Sequence, residues 1–220
     1  MEDRFLTLGG PAEGYYMERG SKFLAYAFPV STESEIPDIL QGIKKDHPKA
    51  RHYCTALRLS PDAALERSND DGEPSGSAGR PILGQLVKNN LTNVFIVVVR
   101  YFGGTKLGIP GLIEAYKTSA ANAILAGTIV ERNVIAKVRI TLSYDAFPHF
   151  LNFCKQNNIN VFEEAFAENA QLIVGFRKST APKLLLDALH HYSKMDFTQL
   201  DDYAKHIGIS VEFLDDDQIV

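Results

Sequence analysis

The sequence predicts an α+β protein of two domains, residues 1–132 and 133–220. Three observations carry this. Strand-like and helix-like segments alternate through residues 21–127 around one apolar run at residues 94–99. The second part reads β-α-β-β-α-β, the split βαβ order of a ferredoxin-like fold. Charge divides at the same place: residues 1–132 hold as many basic as acidic side chains, so the net charge of −4 lies in residues 133–220.

Each element has a local reason. Residues 21–30 (SKFLAYAFPV) alternate as a strand, with Phe23, Ala25 and Ala27 on one face. Thr32 and Glu35 make a T-x-x-E capping box. Ile36, Ile39, Leu40 and Ile43 then recur at helical spacing until Pro48. Residues 51–59 (RHYCTALRL) are a second strand, followed by a turn at residues 61–64. Residues 68–79 (SNDDGEPSGSAG) lack any large apolar side chain and form a loop. Pro81 opens a helix carrying Ile82, Leu83, Leu86 and Val87, which stops near Asn89. Residues 93–101 (NVFIVVVRY) are apolar without alternation, so both faces of this strand are buried. Gly103, Gly104 and Gly108 connect it to a helix that starts at Pro110, bears Leu112, Ile113, Tyr116, Ala120, Ala123 and Ile124, and ends at Gly127.

The second part begins with a strand at residues 134–143 and a helix at 146–157 with Phe147, Phe150, Leu151 and Cys154 on its apolar face. Two strands at 159–167 and 170–177 turn at Glu168 and Asn169. A helix at 181–193 and a last strand within 196–205 complete the order. Residues 215–217 start an acidic tail, expected to fray.

Composition excludes several classes. At 45% apolar and 23% charged residues the chain is neither disordered nor fibrous. No apolar run approaches the ~18 residues of a membrane span. The first residues lack a basic segment leading into an apolar one, so no secretory signal is expected. Cys54 and Cys154 have no metal-ligand spacing and read as reduced thiols of a cytoplasmic protein. No cofactor and no metal are expected. Broad affinity for nucleic acid needs a basic surface; a neutral first domain leaves room only for a local patch.

Several residues could carry chemistry. Asp70, Asp71 and Glu73 cluster in the loop, as a hard-cation site or acid–base pair would require, or as a solvated turn before the next helix. Their spacing does not match a calcium-binding EF-hand. Arg100 ends an apolar strand, where an unpaired guanidinium costs several kcal/mol. It must meet a carboxylate, a carbonyl or a ligand anion, and the acidic loop supplies candidates. Residues 103–108 (GGTKLG) put successive N–H groups before a helix. The Walker and Rossmann patterns are absent, so a nucleotide-hydrolysing site is not expected, although Lys106 could touch phosphate. Pro110 removes one N–H from that turn. His52 and Cys54 share a strand face, but parallel side chains suit a nucleophilic pair poorly. His190 and His191 point apart on their helix and lack a zinc partner at i+4, while His47 and His206 read as surface residues.

The segments DDGEPSGSAGRPIL (residues 70–83), VVVRYFGGTKLG (97–108) and GLIEAYKTSAANAIL (111–125) closely resemble the YigZ/IMPACT family. SKFLAYAFPV and HPKARHYCTALRL (47–59) resemble its first strand and its His–Cys segment. The resemblance is strong over residues 15–130 and rests on predicted pattern beyond them. Two details depart from the family: the Gly108-Ile109-Pro110-Gly111 turn, and Ser77 where Thr is commoner. The resemblance implies a two-layer α/β first domain like a C-terminal domain of elongation factor G, and a second domain like that factor's last one. Eukaryotic relatives regulate translation under amino-acid starvation. The expectation is therefore a non-enzymatic, translation-associated binding or regulatory protein. Its partner would be RNA, the ribosome or a translation-associated protein, with Lys22, His52, Asp70, Asp71, Glu73, Ser75, Arg80, Arg100, Tyr101 and Lys106 as candidate binding residues. The alternative is a hydrolase with the acidic loop as base and Arg100 as anion clamp.

Overall fold

The computed structural model of the chain describes residues 3–193, 200, 208–214 and 218–219. Two compact units divide it: Arg4–Arg132, and Asn133–Val220 with Met1–Asp3.

In chain order the first unit holds β1 (Arg4–Leu8), β2 (Ala12–Glu18), β3 (Ser21–Pro29), α1 (Ile36–Asp46), β4 (His52–Leu59), β5 (Leu65–Asn69), α2 (Gly79–Lys88), β6 (Val94–Tyr101) and α3 (Gly108–Ala126). Five strands make an antiparallel sheet in the order β2-β3-β6-β4-β5. The run at residues 94–99 does not alternate because helices cover both faces of its strand. On one face Val98 and Ile96 meet Phe23, Ala25, Cys54 and Ala56 under α2 and α3. On the other, Phe95, Val97 and Val99 meet Ile36, Ile39, Leu40 and Ile43 of α1. The capping box forms at Thr32 and Glu35, where one 3-10 turn precedes α1.

α3 turns Ala115, Ser119, Ala120 and Ala123 inward. Gly14 on β2 completes that close approach. A Cβ there would lie 2.2 Å from the Ala123 nitrogen, so any larger residue pushes helix and strand apart.

The second unit continues from β7 (Ile129–Leu142) through α4 (Phe147–Gln156), β8 (Asn160–Phe166), β9 (Ala170–Arg177), α5 (Ala181–Ser193), β10 (Ser210–Phe213) and β11 (Gln218–Ile219). The order β8-β9-β7-β10, antiparallel throughout, is the ferredoxin-like arrangement. Val138, Ile140, Leu172, Val174 and Phe176 pack with Phe150, Cys154, Leu185 and Leu189 of α4 and α5. No helix among the described residues is long and apolar enough to cross a membrane.

The structure corrects the sequence reading at several places. β1, β2 and β5 are strands the periodicity does not reveal. β5 takes Ser68 and Asn69 out of the expected loop, and α2 takes Gly79. Val87 and Ile113, expected on buried helix faces, are exposed. His47 is not a free surface residue, since its two ring nitrogens meet the Tyr26 and Tyr101 hydroxyls at 2.7 and 2.9 Å. The strand expected within 196–205 and the tail at 215–217 lie outside the described residues, save Leu200. The fourth strand of the motif that is described is β10.

Candidate functional site

Register brings the first site residues together. Arg100 on β6 stands opposite Phe23 of β3 on one side and His52 of β4 on the other. All three therefore face α2 and α3. Arg100 Nη1 donates to Glu73 Oε1 at 2.6 Å, and the two side chains are only 8% and 4% exposed. The Tyr116 hydroxyl of α3 donates to the same oxygen at 2.8 Å. The guanidinium lies 5.5 Å from the Phe23 ring and 5.6 Å from the Phe102 ring. Its Nε is buried and has no partner among the described residues.

The three loop carboxylates are each engaged within the fold. Asp70 accepts the N–H groups of Gly76, Ala78 and Gly79 at 2.7, 3.0 and 2.8 Å. Burial works against its charge, but these donors and Arg80 outweigh it and hold its pKa below the ordinary value. Asp71, with its backbone at φ +43°, accepts the Tyr53 N–H at 2.7 Å. Glu73 holds Arg100 and Tyr116. Asp70, which accepts three donors, is a poor base. Among the described residues no cluster of His, Cys, Asp and Glu is placed to hold a metal.

His52 and Cys54 do not pair. The His52 Nδ1 donates to the Asp71 carbonyl at 2.8 Å, and Cys54 donates its S–H to the Asp70 carbonyl at 3.0 Å. Burial pushes the Cys54 thiol up to about 12, so it stays neutral near pH 7. Burial, then the neighbouring Cys54 and Glu73, also raise the Tyr116 hydroxyl. The Cys54 thiol and the Tyr116 hydroxyl therefore hold their protons rather than exchange them.

Beside this buried network opens a cleft of about 770 Å³. Lys49, Arg51, His52, Arg100 and Lys106 line it, with Tyr101, Phe102 and the start of α3 at Gly108 and Ile109. Gly103 fixes the turn that carries Phe102 and Lys106. A Cβ on Gly103 would fall 1.9 Å from the Gly20 carbonyl carbon, so only glycine lets the end of β6 cross the β2–β3 turn.

Of the residues singled out in the sequence, His52, Glu73, Arg100, Tyr101 and Lys106 line this cleft. Asp70 and Asp71 shape the loop behind it. Ser75 and Arg80 are exposed and outside the lining. Lys22 lines a separate hollow with Tyr15, Leu24, His47 and Tyr101. Sequence reasoning missed Lys49, Arg51, Phe102 and Tyr116. The basic run HPKARH before β4 was the available sign for the first two.

Residues 19–124 match the family model described as the Impact N-terminal domain. The IMPACT family member YvyE of Bacillus subtilis (strain 168) is 36% identical over 167 residues, covering 76% of this chain and 77% of that protein. A Protein IMPACT homolog of Saccharomyces cerevisiae is 33% identical over 122 residues, covering 53% of this chain and 46% of that protein. A crystal structure described as that of a hypothetical protein covers 88% of this chain and 95% of its own, with a TM-score of 0.69 and 23% identity, a likeness of fold. The chain, matched in its first unit by the family model and along most of its length by the Bacillus relative, belongs to the IMPACT family.

Proposed function

We propose that this protein is a non-enzymatic, translation-associated regulatory protein that contacts RNA on the ribosome through the cationic cleft of its first unit. One observation carries the reading. Lys49, Arg51 and Lys106 converge on the cleft, and none forms an ion pair with a described residue. Glu73, the carboxylate in the lining, already holds Arg100 and Tyr116. Cations gathered without counter-charges suit a phosphate backbone. Family membership supports the translational setting, as the resemblance to eukaryotic regulators implies.

The hydrolase reading finds less support. Asp70, Asp71 and Glu73 are engaged as hydrogen-bond acceptors, and the Cys54 thiol stays protonated.

The test is cosedimentation with ribosomes at low and at physiological salt. The wild-type protein is expected in the pellet at low salt. Arg51→Ala with Lys106→Ala is expected in the supernatant while its circular dichroism stays unchanged, and Lys22→Ala is expected to pellet normally. A double variant that pellets like the wild type sinks the proposal.

A further inference from the structure

The start of α3 is electrostatically incomplete. This helix runs for 19 residues, yet no side chain caps its first turn and no acidic residue stands in it. The N–H groups of Gly108 and Ile109, at the first two helical positions, have no intrahelical acceptor, and Pro110 has no N–H to offer. The positive end of the helix dipole thus opens onto Lys49, Arg51 and Lys106. Like polarity gathered in one concavity is unfavourable until an anion enters it.

Arg100 points the same way independently of the helix. It lines the cleft while 8% exposed. One of its N–H groups holds Glu73, and its buried Nε has no partner. Buried donors are nearly always satisfied in folded proteins, and this one has no acceptor among the described residues.

The cleft also has an aromatic wall. Phe102 is 58% exposed, two residues after Arg100, with its ring 5.6 Å from that guanidinium. An exposed ring among cations is how single-stranded nucleic acid is held, with bases stacking and phosphates paired. The volume of about 770 Å³ falls within the usual range for small-ligand sites. It admits one nucleotide unit but not an RNA duplex, which is read across its minor groove from outside.

We propose that the cleft is a seat for a nucleoside 5′-phosphate. The phosphate lies at the start of α3 among Arg51, Lys106 and Lys49, and the base lies against Phe102. This rests on the RNA reading above and narrows it from a surface to a single unit. Two sources share the chemistry: the 5′-phosphorylated end of an RNA strand and a free mononucleotide.

Calorimetric titration of the full chain tests it. The probes are AMP, adenosine, inorganic phosphate, and a short single-stranded RNA with and without its 5′-phosphate. AMP is expected to bind at least about tenfold more tightly than adenosine, since adenosine lacks the charged group. The double variant Arg51→Ala, Lys106→Ala is expected to lose AMP. Phe102→Ala is expected to weaken AMP by about tenfold while leaving inorganic phosphate unchanged, because stacking alone is removed. All three positions are exposed, so unchanged thermal melting serves as the folding control. A phosphorylated RNA that binds far more tightly than AMP assigns the seat to an RNA end; equal affinity assigns it to the free nucleotide. Adenosine binding as well as AMP, or AMP binding retained in the double variant, overturns the seat. If neither AMP nor phosphorylated RNA binds and ribosome cosedimentation persists, the seat fails and the RNA reading stands. If cosedimentation is lost as well, both fail.

Discussion

A guanidinium and a carboxylate taken out of water each lose several kcal/mol of hydration, and at Arg100 and Glu73 their mutual contact must return most of it. The balance holds only while both are present. Glu73→Ala leaves a buried cation and strands the Tyr116 hydroxyl, so it is expected to destabilise by about 3–5 kcal/mol. Tyr116→Phe removes one hydrogen bond to a charged group and is expected to cost about 1.5–3 kcal/mol. The double variant should fall short of the sum, because the two changes share one oxygen. Urea unfolding measures all three, and a Glu73→Ala protein as stable as wild type would show that the buried pair does not form. The same reasoning makes Arg100→Ala a poor probe of binding, which is why the exposed Arg51 and Lys106 serve instead. The sequence pointed to Arg100 because a charge ending an apolar strand demands a partner. It could not choose Glu73 over Asp70 or Asp71, because that choice depends on how the loop folds back over β4 and β6. Tyr116 read as a core residue, which it is; its hydroxyl becomes informative only once Glu73 is found beneath it.

At the scale of elements, Asp70 does for α2 what a capping residue does, from nine residues before the helix's first residue. Its oxygens take the N–H groups of Ala78 and Gly79 at the helix start, plus that of Gly76 within the loop. Its folded pKa lies below the ordinary Asp value of about 3.9. The stabilisation is therefore complete above that ordinary value and disappears as pH falls through the folded one. Asp70→Asn is expected to flatten the acid limb of the stability curve and to expose residues 70–78 to protease at neutral pH. Urea midpoints between pH 3 and 7, with limited proteolysis at pH 7, read both effects. An unchanged acid limb would remove Asp70 as the anchor. The sequence marked this stretch as a loop from its composition but held no sign of the anchor. Elements with strong periodicity, capping chemistry or an unbroken apolar run, such as α1 and β6, were legible. β2 and β5 were not: both are edge strands, β5 with mostly exposed side chains, and β2 with a half-buried face made of Ala12, Gly14, Tyr16 and Glu18, too mixed in polarity to read as an alternation.

For the molecule as a whole, the distribution of charge sets how binding should respond to salt. Residues 1–132 are electrically neutral in sum, so the proposed attraction for RNA is expected to come from the cleft rather than from a general field. Three cations there form no ion pair with a described residue, and single-stranded binding releases about 0.7 counterion per neutralised phosphate. The slope of log K against log salt is then expected near −2, shallow beside that of a basic nucleic-acid-binding domain. Removing Arg51 or Lys106 singly should make it shallower by about 0.7. Lys22→Ala should leave it unchanged, because Lys22 borders a different hollow. Fluorescence anisotropy with a 5′-phosphorylated RNA between low and physiological salt measures these slopes. A wild-type slope several units steeper would mean that a broad surface, not the cleft, meets the RNA. Equal slopes for the wild type and the Arg51→Ala protein would take Arg51 out of the contact. The second unit, which carries the net negative charge, adds no attraction of its own on this account, so the salt slope is expected to report the cleft alone.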